Sequence, residues 1–71
     1  MSQTSNARPP RFLRLSTVME RTGLSRSTIY ERIDQGGFPR QMALGPRSVG
    51  WLESDISAWI EERVSESKSK R

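Results

Sequence analysis

The chain has 71 residues, with 32% hydrophobic content and 12 Lys+Arg against 8 Asp+Glu, a formal charge of +4. That is room for one small domain with a modest core, and a polyanionic partner suits its charge. With no Cys and no His, it has no disulfide, thiolate metal site, thiol nucleophile or imidazole base, so no enzyme, cofactor or metal role is expected.

Residues 1–12 read as a flexible basic arm: polar, interrupted by Pro9-Pro10, and carrying Arg8 and Arg11, with Arg14 just beyond. No apolar run suggests a signal peptide, and no segment approaches the ~20 apolar residues of a membrane span. The expected location is therefore the cytoplasm, at the nucleoid when bound to DNA, with no membrane partner.

A folded domain is expected over residues 13–64. Its first helix is placed at about Thr17 to Thr22, capped by Ser16, with Leu15, Val18, Met19 and Thr22 on one arc. Gly23 suits the left-handed residue that ends a helix, and Ser25 can cap the next one. Leu24 and Ile29 take the positions of a hydrophobic staple. The second helix, about Arg26 to Gln35, turns Ile29 and Ile33 inward, sets Tyr30 and Arg32 on its flanks, and points Ser27, Thr28, Glu31 and Asp34 outward. Helix, tight turn and helix together form a helix-turn-helix, whose second helix commonly enters a DNA major groove.

Gly36-Gly37 ends that helix, and Phe38 before Pro39 is held extended. Alternation in Met42–Leu44 and Val49–Trp51 around Gly45-Pro46-Arg47-Ser48 predicts a hairpin wing. With those four residues as the loop, Leu44 opposes Val49 and Met42 opposes Trp51, and all four bury one face. The last helix is expected to start after Ser54 and run to about Val64. Its stripe is Ile56, Trp59, Ile60 and Val64, and Arg63 lies along the edge with its guanidinium in water. Trp51 and Trp59 are expected to be the main core residues. Residues 65–71 read as a disordered polar tail. The fold class is thus mainly α with a small β-hairpin, a winged helix-turn-helix.

Several motifs follow in order: Thr22-Gly23-Leu24-Ser25-Arg26-Ser27-Thr28-Ile29-Tyr30, Gly37-Phe38-Pro39-Arg40, Leu44-Gly45, Val49-Gly50-Trp51-Leu52-Glu53-Ser54 and Ala58-Trp59-Ile60. On these the stretch from Arg14 to Arg63 resembles the AlpA family of prophage regulators. The resemblance implies a winged helix-turn-helix like the DNA-binding part of MerR-type regulators and small phage excisionases. It also implies transcriptional control of prophage or genomic-island genes, such as an integrase gene.

Candidate DNA contacts follow from chemistry and placement. Arg26 carries a cation at the positive end of a helix dipole, an unfavourable place unless a phosphate or guanine edge rewards it. Ser27, Thr28 and Glu31 sit where a reading helix meets bases, although Thr28 also suits capping and Glu31 can orient Arg32. Tyr30 can cover the core, reach a phosphate, or do both. Arg40, Arg47 and Ser48 frame the wing, and Arg14 adjoins the arm. Double-stranded DNA is the expected partner, with self-association on DNA or contact with RNA polymerase as further ones. Two other roles stay open on sequence alone: an excisionase-like factor that bends DNA for recombination, and a protein-interaction module using the acidic last helix, residues 53–66.

Overall fold

A computed structural model describes residues 10–69. Its elements are β1 (Phe12–Leu13), α1 (Leu15–Thr22), α2 (Arg26–Asp34), β2 (Met42–Gly45), β3 (Ser48–Leu52) and α3 (Glu53–Ser69). The strands form one antiparallel sheet in the order β1-β3-β2. The architecture is mainly helical with a β-hairpin, as the winged helix-turn-helix expectation requires. Among the described residues, no helix is long and apolar enough to cross a membrane.

Local signals set the helix ends around the turn. Gly23 has φ 75° and donates its N–H to Met19 O at 2.8 Å, which closes α1. The Thr22 hydroxyl donates to Val18 O and accepts from the Leu24 N–H, so the turn is tied on both sides. α2 opens with Ser25 Oγ accepting from the Thr28 N–H at 3.2 Å. It closes in a Schellman motif: Gly37 N–H donates to Arg32 O, Gly36 N–H donates to Ile33 O, and Gly36 takes φ 81°.

α1 begins earlier than expected, at Leu15. The residue preceding it is Arg14, whose backbone carbonyl accepts from Val18 without any side-chain cap. Ser16 therefore lies inside the helix. Extended Arg14 continues straight out of β1, and this pairing, invisible to helix-cap rules, sets the start of α1.

β1 itself was not expected, since Phe12 falls in the stretch read as an arm. Phe12 pairs with Leu52 and Leu13 with Trp51, and Leu13 is buried. Of the rest of the expected arm, Arg11 is tied to the domain through its carbonyl, which accepts from the Glu53 N–H, while residues 1–9 lie outside the described residues, as do residues 70–71 of the expected tail.

The wing differs from its predicted register. Its turn is the pair Pro46-Arg47, and neither residue has positive φ, so the primed turns that match strand twist are excluded. A bulge absorbs the mismatch: Ala43 pairs with Val49 and Gly45 with Ser48, leaving Leu44 without an opposite residue. Met42 consequently opposes Gly50, not Trp51. That one-residue displacement turns Met42 and Leu44 to the outer side of the sheet, 45% and 38% exposed, while Val49 near the tip is 37% exposed. Of the four residues expected on the buried face, only Trp51 is buried.

The core comprises Leu13, Val18, Ile29, Ile33, Phe38, Trp51 and Ile56. Trp51 is fully enclosed and donates its indole N–H to Pro39 O at 2.9 Å. Trp59 is only partly buried; it meets Phe38 edge-on at 4.9 Å and donates to Gly37 O. Its place is thus a lid over the end of the core. α3 starts at Glu53, with no gap after β3, its first N–H taken by Arg11 O at 2.8 Å. It continues past Val64, which is exposed, to Ser69. Arg63 is drawn across the Trp59 ring at 5.1 Å and donates to Glu66, so its guanidinium is more engaged than a solvated edge residue would be.

Gly50 occupies the central strand where there is no room for a side chain. A Cβ there would lie 2.9 Å from Leu44 Cδ1 and 3.1 Å from Leu13 O. Leu44 is exposed and able to move, whereas the Leu13 carbonyl belongs to a paired strand. Gly50→Ala is expected to destabilise the domain by about 1–3 kcal/mol. A urea melt checks this, with a lower midpoint at unchanged slope; an unshifted midpoint contradicts it.

Candidate nucleic-acid interface

The inner side of α2 is occupied by Ile29 and Ile33, both buried, and this fixes which side faces out. Arg26, Ser27, Glu31, Arg32 and Asp34 are exposed. Thr28 is half-buried, and its hydroxyl accepts from Ser25 Oγ at 3.0 Å, so it serves the helix cap. Leu24 packs against the core that holds Ile29, which sets how the chain enters α2.

Arg26 is the first residue of α2, and no acidic residue accompanies it in the first turn. Its cation therefore adds to the positive helix end, and the whole N-terminal mouth of α2 is attractive to anions. The guanidinium lies over the Tyr30 ring, 5.8 Å from its centroid. Tyr30, half-buried, meets Trp51 edge-on at 6.3 Å.

In the wing, Arg47 occupies the turn and is exposed, and Ser48 beside it is half-buried opposite Gly45. Arg40 is exposed just before β2, next to the Pro39 carbonyl that Trp51 holds. Arg14 is exposed after β1, which pairs the Leu52 end of β3, whereas Arg47 adjoins the Ser48 end. At about 3.3 Å per residue, those two ends of β3 are roughly 13 Å apart. The candidates thus fall into a cluster on α2 and two outlying cations along the sheet.

Ion pairing separates these arginines from Arg21 and Arg63. Among the described residues, Arg21 bonds Glu53 at 3.4 Å and Ser57 at 3.2 Å, a clasp between α1 and α3. Arg63 is paired with Glu62 and Glu66. Arg14, Arg26, Arg32, Arg40 and Arg47 take part in no ion pair among the described residues, so their charge is uncompensated locally. The clasp at Arg21 escapes sequence reasoning, because Glu53 and Ser57 stand 32 and 36 residues away; the ring contact under Arg26 is local, an i,i+4 pair within α2. Among the described residues, no group of acidic side chains is placed to hold a metal ion.

The family described as Prophage CP4-57 regulatory protein (AlpA) matches residues 11–64. The chain is 53% identical over 55 residues to "Uncharacterized protein ORF88" of Enterobacteria phage P4, an alignment covering 78% of this chain and 62% of that protein. It is 37% identical over 65 residues to the "DNA-binding transcriptional activator AlpA" of Escherichia coli (strain K12), covering 83% of this chain and 93% of that one. The chain thus spans less than two thirds of the phage relative and nearly the whole length of the bacterial one. By both the extent of the family match and the identity across nearly all of the bacterial relative, the chain belongs to the AlpA family of prophage regulatory proteins.

Proposed function

We propose that this chain is a sequence-specific DNA-binding transcriptional regulator acting on prophage or genomic-island genes, an integrase gene among them, at the nucleoid of the cytoplasm. One observation carries the reading: the polar side of α2 is bare from Arg26 to Glu31, and the arginines on and around it have no carboxylate partner among the described residues. The relative named as a DNA-binding activator supports it. In this reading α2 enters a major groove with Arg26, Ser27, Glu31 and Arg32 toward bases and phosphates, and Thr28 and Tyr30 at its margin. Arg40, Arg47 and Ser48 of the wing and Arg14 hold the flanking backbone.

The test is competition binding over a range of salt concentrations. Neutralising about five phosphates gives a slope of log affinity on log salt of roughly −4 to −5. Arg47→Ala should make that slope shallower by about one unit and weaken all sequences alike, whereas changes at Ser27 or Glu31 should alter which sequence is preferred. A slope near zero removes the reading. Footprinting across an integrase promoter and the neighbouring attachment site then identifies the gene under control.

A further inference from the structure

The charge of Arg26 is seated on an aromatic surface that is itself backed by the core. Tyr30 stands four residues on, the spacing at which helix side chains meet, and its ring lies under the guanidinium at 5.8 Å. The ring abuts the fully buried Trp51 edge-on, with planes at 61°. Trp51 in turn is locked by its hydrogen bond to Pro39 O. An arginine with no carboxylate partner at a positive helix end has little else to restrain it, and the π face supplies that restraint.

We propose that Tyr30 is a positioning residue for Arg26: its ring, held by Trp51, keeps the guanidinium at the mouth of α2 in one orientation. This rests on the reading of α2 as the DNA-contacting helix. The requirement is for the ring; the phenol hydroxyl is dispensable. Tyr30 thus acts through Arg26, in contrast to a tyrosine whose hydroxyl grips a phosphate. The Trp51 indole that backs Tyr30 also donates to the Pro39 carbonyl, adjacent to Arg40, so α2 and the base of the wing share one support.

The experiment compares the full chain with Tyr30→Phe, Tyr30→Leu, Arg26→Ala and the double variant Arg26→Ala/Tyr30→Leu, each first shown by circular dichroism to be folded. In the absence of DNA, the ring current of Tyr30 should shift the Arg26 side-chain proton resonances. Tyr30→Phe should retain that shift, and Tyr30→Leu should lose it. The DNA probe is a duplex enriched by the unaltered chain from a randomised pool. Tyr30→Phe should bind it within about twofold of the unaltered chain, and Tyr30→Leu should bind about two- to fivefold more weakly. In the Arg26→Ala background, leucine at 30 should cause no further loss. The proposal is overturned by Arg26 resonances that ignore the loss of the ring, by a phenylalanine variant as weak as the leucine one, or by additive losses. Failure to enrich any duplex removes the DNA-contacting reading of α2 instead, and the resonances still decide whether the ring holds the arginine.

Discussion

Trp51→Ala is expected to abolish the cooperative thermal transition of the domain. Trp51 is the largest fully enclosed side chain, on the central strand, in edge contact with Tyr30 and bonded to Pro39. Removing a buried tryptophan costs ~3–5 kcal/mol. A core in a chain this short rarely supplies more than ~3–5 kcal/mol, so cost and supply are of the same size. Far-UV circular dichroism against temperature checks this. Trp51→Phe separates packing from bonding: it retains a ring but leaves the Pro39 carbonyl without its donor, at a cost of about 1–3 kcal/mol, and should still melt cooperatively. An alanine variant that melts within a few degrees of the unaltered chain contradicts the assigned role.

Arg26→Ala is expected to weaken binding strongly while leaving folding nearly unchanged. If its fork reaches a guanine edge, loss of the side chain costs about 1–3 kcal/mol, a fall of roughly 5- to 150-fold in affinity for the preferred duplex. Stability should hardly change, because alanine is the better helix former and the lost cation was opposed by the helix dipole. Among the described residues, the interaction given up is the ring contact with Tyr30, and at an exposed site it is worth about 0.5–1 kcal/mol. Arg26→Lys should not restore affinity at a bidentate site, since a point charge lacks the planar fork. Calorimetric melting alongside binding isotherms distinguishes this from a structural role, which would lower both together.

The helix-turn-helix was readable from the chain because its determinants are local. Gly23, Ser25 and the Gly36-Gly37 pair each act on backbone groups within a few residues of themselves, and every one does so in the structure. The sheet was less readable, as its determinants are distant. Two residues, Phe12 and Leu13, carry no detectable period, and their partners stand at the other end of the domain. The wing's register depended on a bulge at Leu44 that compensates for a turn without left-handed residues, a choice made by twist and not by hydrophobic pattern.

The candidate site divides in the same way. Which side of α2 faces outward followed from Ile29 and Ile33 alone. That Thr28 serves the cap with Ser25 was one of the readings open on sequence, whereas that Tyr30 leans on Trp51 and that Arg21 is spent on Glu53 and Ser57 emerged only from the packed fold. Uniform arginine content in the middle of the chain therefore conceals two kinds of residue, those that clasp helices together and those left with their charge unspent.

The pairing of Phe12 and Leu13 with Leu52 and Trp51 joins the beginning of the domain to a strand near its end. During synthesis, the sheet is incomplete until β3 has emerged from the ribosome, so the helices wait for almost the entire domain before their shared core can close. A fragment cut immediately before Leu15 would retain every helix and the whole wing, yet would bare one edge of the central strand and remove Leu13 from the core. Any shortened version meant for biochemical work has to begin upstream of Phe12.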